Sequence, residues 1–430
     1  MHQKKHLGFN GLIRNLSENM KGIDDTRQAG KVAYSQHDCA MSAFAMMFFQ
    51  DPSILEFQTR LDKGRNLNNL KTLFHVDKVP KASQLREVVD EMPSHDLEKV
   101  FTDFFRPLQR GKQLELFRFL DGKYLLPLDG TQYFSSDSIH CPGCLTKVLK
   151  SGTTVYHHQV VCGAIVHPDF RQVIPIAPEP VRNIDGKSKQ DCETKAGKRL
   201  IEKIRGTHPK LDIIITGDSL YSKQPFVDML GEKGMSFILT AKQKDHKVLF
   251  EWVSELRRMG EIGHLEIRDF KGRLFVFEWA NNVPLNGTKD AGEVNYFECA
   301  IFKKEKRVFF CGWVTDIPVG EDNVPELVRG GRARWKIENE NFNTLKNQGY
   351  HAEHSFGHGK KNAAYNFFLF ILLAFFVHQI LELTDPLWQK CRGKFSARKE
   401  FWNQLRCTIR ILVFVSWAHL LEFVRDPPEH

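Results

Sequence analysis

Residues 124–134 read YLLPLDGTQYF, an apolar run that closes on Asp129 and a glycine-containing turn. A short apolar run bounded by turn residues reads as a buried strand. The same grammar recurs at residues 211–222, LDIIITGDSLYS, where Asp218 ends the run. A third acid, Glu338, lies in RARWKIENENFNTLK (332–346), an amphipathic helical stretch. On such a helix Arg334, Glu338 and Asn341 share one face, while Ile337 and Leu345 supply apolar anchoring. Glu340, two positions on, faces roughly the opposite side. Spacing alone also allows an ordinary surface ion pair between Arg334 and Glu338.

Working outward, residues 1–120 read as a helical region. AMSAFAMMFFQ, SILEFQTRL, ASQLREVVDEM and LEKVFTDFFRPLQR are separated by Pro, Gly and Asn; their basic and polar faces could grip DNA, against the alternative that their Leu, Phe and Met spacing is simply core, and no recognition helix stands out. Residues 121–365 alternate strands and helices, which predicts an α/β domain. Within it, GRLFVFEWA, NYFECAIF and RVFFCGWVTDI form a β-rich insertion at about 243–312. Residues 366–430 are again helical. Their apolar run FFLFILLAFFV, Phe367–Val377, falls short of the roughly 20 residues that span a bilayer, so it predicts a buried core helix and no membrane association.

A net charge of +9 and an isoelectric point near 9.0 favour a polyanionic partner, with nucleic acid first, because basic side chains release counterions from phosphates. Nine cysteines without disulfide-like spacing point to a reducing, cytoplasmic setting. The opening MHQKKHLGFNGLIRNL has positive charges but no continuous apolar core behind them, so export is not predicted.

Two groups of residues carry metal chemistry. Asp129, Asp218 and Glu338 offer hard oxygen ligands suited to Mg²⁺ or Mn²⁺, and strand end, strand end, helix is the layout of an RNase H-like two-metal site. Cys141 and Cys144 in IHCPGCL, with His157 and His158 in VYHHQ, could close a tetrahedral structural Zn²⁺ site, against the alternative of a tight turn shaped by Pro142 and Gly143. Asp191 and Glu193 precede a helix, where N-terminal capping explains acids better than catalysis. Glu179 is a similarly weak candidate. The basic run Lys390, Arg392, Lys394, Arg398 and Lys399 reads as a solvated loop.

The succession LDGTQYF, ITGDSLYS, a β-rich insertion, WVTDIP and RARWKIENENFNTLK resembles the DDE transposases of bacterial insertion sequences, especially the insertion sequence four family, over most of residues 30–380. The resemblance implies an RNase H-like catalytic core with Asp129, Asp218 and Glu338 as catalytic metal ligands. It also implies a homodimer on double-stranded DNA that holds terminal inverted repeats and joins them to target DNA. The family signature spaces Tyr, two residues, Arg, three residues, Glu, six residues, Lys. Arg334 and Glu338 match it, Gly331 stands at the Tyr position, and Lys346 falls one residue late. By this likeness Arg334 and Lys346 bind DNA phosphate. A nuclease that hydrolyses without joining and a transposase-derived DNA-binding protein are the alternatives.

Overall fold

Six helices precede the sheet: α1 Phe9–Lys21, α2 Gln36–Phe48, α3 Ile54–Leu61, α4 Arg65–Phe74, α5 Ala82–Glu91 and α6 Ser94–Arg110. The computed structural model describes residues 6–25, 27, 30, 32–61, 65–183 and 190–428. In α6 the apolar positions Leu97, Val100, Phe101, Phe104, Phe105 and Leu108 recur at three- and four-residue spacing, and all are buried. Ser35 starts α2 by accepting the Asp38 N–H at 2.9 Å.

The run at 124–128 is the root of a long strand, β1 (Tyr124–Ser136), in which Leu125, Leu126 and Leu128 are fully buried. The strands that follow are β2 Leu145–Val148, β3 Thr154–Ile165, β4 Ile174–Pro175, β5 Glu179–Val181, β6 Ile213–Gly217, β7 Ser236–Ala241, β8 Gly263–Arg268, β9 Leu274–Pro284, β10 Glu293–Lys303 and β11 Lys306–Thr315. They form one sheet in the order β2-β3-β1-β6-β7-β11-β10-β9-β8, with β4 and β5 also paired to β3. The chain is therefore a mixed α/β protein.

Strand β3 runs antiparallel to β1, while β6 runs parallel to β1 and β7 parallel to β6. Parallel neighbours need crossovers. These are α7 (Glu193–Thr207), between β5 and β6, and α8 (Gln224–Glu232), between β6 and β7. All five residues of β6 are buried, as expected of a central parallel strand covered on both faces.

A helix, α9 (Lys247–Met259), and β8–β11 intervene between β7 and α10 (Val324–Ala333). Because β11 pairs antiparallel with β7, these strands lengthen the sheet instead of standing apart from it. Helix α10 lies close on that sheet. A Cβ at Gly330 would come within 3.1 Å of Phe119 and Ile238, and one at Gly331 within 2.6 Å of the buried Trp313 ring. Glycine allows this approach.

After α10 the backbone passes through a π-helical segment, Ile337–Phe342, into α11 (Asn343–Asn347). The chain then enters α12 (Ala363–Thr384), followed by α13 Pro386–Gly393, α14 Arg398–Ile411 and α15 Trp417–Arg425. The domain boundary expected at 365/366 thus falls inside α12. Every residue of α12 from Tyr365 to Leu381 is buried. It packs against α2, α5 and α6 from the front of the chain, α13 from its end, and β4 of the sheet. Among the described residues it is the one helix long and apolar enough to cross a membrane, and here a shell of protein takes the place of lipid.

Candidate active site and metal centre

Asp129 and Asp218 sit at equivalent positions on adjacent parallel strands. The last in-register pair of β1 and β6 is Pro127 with Thr216, and each aspartate lies two residues beyond it. Asp218 follows the end of β6, but Asp129 stands inside β1, which runs on to Ser136, so the strand end and turn expected there are replaced by continued pairing with β3. Each carboxylate spends one oxygen on a nearby backbone N–H. Asp129 Oδ1 accepts the Gly130 N–H at 2.9 Å, and Asp218 Oδ1 accepts the Leu220 N–H at 2.9 Å. The π-helical segment packs on β1 and brings Glu338 to the same place. Arg334 reports the convergence, because its Nη1 lies 2.8 Å from Glu338 Oε1 and 3.6 Å from Asp129 Oδ2.

Glu193 joins them from the first turn of α7. It caps nothing; its Oε1 accepts from the Tyr221 hydroxyl at 3.0 Å and its Oε2 from Gln159 Nε2 at 2.9 Å. A Cβ at Gly130 would overlap the Glu193 carboxylate, so the glycine next to Asp129 makes room for a fourth acid. Burial, together with the charge of Asp218, holds the Glu193 carboxyl above its ordinary range despite its two hydrogen bonds. Burial pushes Asp129 up to about 7; Arg334 opposes this, while Glu338 and Glu193 add to it. Four acids thus gather where β1 and β6 part, with the half-buried Arg334 guanidinium paired to two of them, Asp129 and Glu338.

The other sequence candidates are placed as follows. Arg334 is turned toward the carboxylates, with its guanidinium 4.9 Å from the Trp335 ring centroid. Lys346 pairs with Glu353 at 2.8 Å. Glu340 points away from the acids, toward Arg171 at 3.9 Å. Asn341 is fully buried. Asp191 holds Arg199 at 2.8 Å and accepts the Cys192 and Arg182 N–H groups, while Glu179 holds Arg199 at 2.7 Å. Both are structural. Of the basic run, Lys394 pairs with Asp426 and Arg398 with Glu382.

A second cluster gathers Cys141, Cys144, His158 and His358, whose donor atoms all lie within 4.8 Å of one another and could hold a metal ion. His157 is not among them, which corrects the sequence expectation. Successive residues of a strand point to opposite faces, so β3 can aim only one of the adjacent histidines at the cysteines, and it aims His158. The fourth position is filled by His358, from the segment that leads into α12. No local spacing signals that residue, which stands 214 positions from Cys144. Burial alone would raise the Cys141 thiol, yet the imidazoles of His158 and His358 bring it down to about 5.

No protein-family model and no curated protein matches this chain.

Proposed function

We propose that the chain is a DDE transposase that cleaves DNA at the ends of its mobile element and joins the 3′-OH ends to target DNA. The observation that carries this reading is the meeting of Asp129, Asp218 and Glu338 where the parallel pairing of β1 and β6 ends, two residues past Pro127 and Thr216, with Arg334 touching both Asp129 and Glu338. The strand order β5-β3-β1-β6-β7, with β3 alone antiparallel to β1 and its parallel partners, supports an RNase H-like core. A π-helical turn at Glu338 adds to it, since such turns concentrate at functional sites.

The donor set is all carboxylate oxygen, which fits Mg²⁺ or Mn²⁺, and Asp129, Asp218 and Glu338 would hold the ions. Bound there, divalent ions supply activation of an attacking oxygen and charge for the leaving one. The chain's own contribution is placement. The body of β1 fixes Asp129 and the end of β6 fixes Asp218, the tight seating of α10 fixes the helical segment behind Glu338, and Arg334 offsets part of the acid charge. Arg334 and Lys346 stand near enough in sequence to Glu338 to meet a phosphate backbone once DNA displaces their present partners. The partners proposed are double-stranded DNA, carrying inverted repeats and target, and a second copy of the chain.

Separate assays for end binding, cleavage and strand transfer test this in Mg²⁺ or Mn²⁺. Asp129→Asn, Asp218→Asn and Glu338→Gln should each lower cleavage and joining by at least about 100-fold while binding survives. Glu340→Gln should stay active. Cleavage without joining in the parent protein would reassign it to the nucleases, and unimpaired cleavage by Asp129→Asn or Asp218→Asn would remove the mechanism.

A further inference from the structure

We propose that Cys141, Cys144, His158 and His358 form a structural zinc site that clamps the β1–β3 hairpin to the segment entering α12. The donor atoms already outline its coordination polyhedron. With Zn–S near 2.3 Å and Zn–N near 2.0 Å, a tetrahedron requires S···S of about 3.8 Å, S···N of about 3.5 Å and N···N of about 3.3 Å. The corresponding distances are 3.9 Å between the two Sγ atoms, 3.5, 3.4 and 3.5 Å for Cys141–His158, Cys144–His158 and Cys144–His358, and 3.2 Å between the two Nε2 atoms. A disulfide would need the sulfurs at about 2.05 Å.

The surroundings prepare each ligand. The Cys141 N–H points at Cys144 Sγ at 3.4 Å, and the Cys144 N–H closes the knuckle on the Cys141 carbonyl at 3.1 Å. His358 Nδ1 lies 2.9 Å from the Gly359 carbonyl oxygen. A carbonyl only accepts, so the proton sits on Nδ1 and Nε2 presents its lone pair to the cluster. Thiolate and imidazole donors select zinc over the hard ions suited to the carboxylate site. Two thiolates with two neutral imidazoles balance the charge of one Zn²⁺, which suits a site whose ligands are buried or half-buried. All four positions are taken by protein, so the site is closed and structural.

The clamp joins parts of the chain that no hairpin could. Cys141 and Cys144 lie beyond the far end of β1, whose root carries Asp129, and His158 lies on β3 beside it. His358 belongs to the stretch between the Glu338 segment and α12. The rings of Tyr133 and Phe134 back the site, with Tyr133 stacked on Phe368 of α12 at 4.9 Å and Phe134 against His358 at 4.4 Å.

The test uses the full chain, expressed with added zinc, desalted, and assayed by elemental mass spectrometry. About one zinc per chain is expected, retained by His157→Ala and by Asp129→Asn and lost from Cys144→Ser and His358→Ala. Refilling with Co²⁺ should give the sulfur-to-cobalt charge-transfer and intense ligand-field bands of a tetrahedral thiolate site. These readouts need no DNA, so they stand or fall apart from the transposase reading. If Cys144→Ser or His358→Ala fails to fold, the parent protein's zinc content and cobalt spectrum still decide. A zinc-free parent without cobalt bands overturns the site, and a His358→Ala protein that keeps both overturns the ligand set.

Discussion

At Asp129 one carboxylate feels two acids and one guanidinium. Burial raises its pKa to about 7, Glu338 and Glu193 push in the same direction, and Arg334 pulls back. The expected outcome follows from those signs. In metal-free protein labelled with ¹³C-aspartate, Glu193→Gln should move the Asp129 midpoint down and Arg334→Ala should move it up. Unchanged midpoints in both variants would show that these groups do not share a site. Asp129 and Asp218 were legible in the sequence because each ends an apolar run, although only Asp218 lies past the end of its strand, while β1 continues beyond Asp129 to Ser136. Glu193 was not legible. Local rules assign an acid at a helix start to the helix, whereas its actual partners, Tyr221 and Gln159, come from elsewhere in the fold. His358 was hidden for the same reason, since a ligand supplied from across the molecule leaves no spacing to read.

Among the elements, α12 depends most on its neighbours. Its N-cap residue, Asn362, makes no side-chain cap. Asp90, at the end of α5, does the work from outside: Oδ1 accepts the N–H groups of Lys361, Asn362 and Ala363 at 3.0, 2.9 and 2.8 Å, and Oδ2 that of Lys360 at 2.9 Å. Partial burial works against the charge, but these four donors hold the Asp90 carboxyl below its ordinary range. Asp90→Ala should therefore cost about 1–2 kcal/mol in urea unfolding at neutral pH. A depressed carboxyl stabilises the fold above its unfolded pKa and loses that contribution as pH falls through its folded value. The gap between parent and variant should then close below about pH 4. A gap that persists in acid would assign the loss to packing instead of charge. The periodicity of Leu and Phe was enough to foresee such helices, but a cap delivered by another helix lies outside any local pattern.

Across the whole molecule, one histidine joins the two ends of the chain. His378 of α12 is fully buried, with its Nδ1 2.5 Å from the Tyr350 hydroxyl and its ring against Phe48 of α2 at 4.5 Å and Trp402 of α14 at 4.4 Å. Burial, reinforced by Arg398, holds its pKa well below the ordinary value. The unfolded chain therefore binds a proton that the folded protein refuses, and stability should fall as pH drops below about 6.5. Melting temperature against pH should show this slope, and Tyr350→Phe with His378→Phe, which removes both hydrogen-bonding partners together, should make it shallower, the remainder coming from other histidines whose pKa burial lowers, His208 to about 4. An unaltered slope in that double variant would place the acid sensitivity elsewhere.

The burial of α12 also sets an order in time. Its apolar surface packs against α2, α5 and α6, which precede the sheet in the chain, yet α12 emerges only after the whole sheet has been translated. Until residue 381 has left the ribosome, those helices have one another and α1, α3 and α4 to pack on, but not α12. The nascent protein must therefore leave the apolar surface that α12 later covers open while the sheet is made, a stretch in which chaperones and proteases have wide access to it.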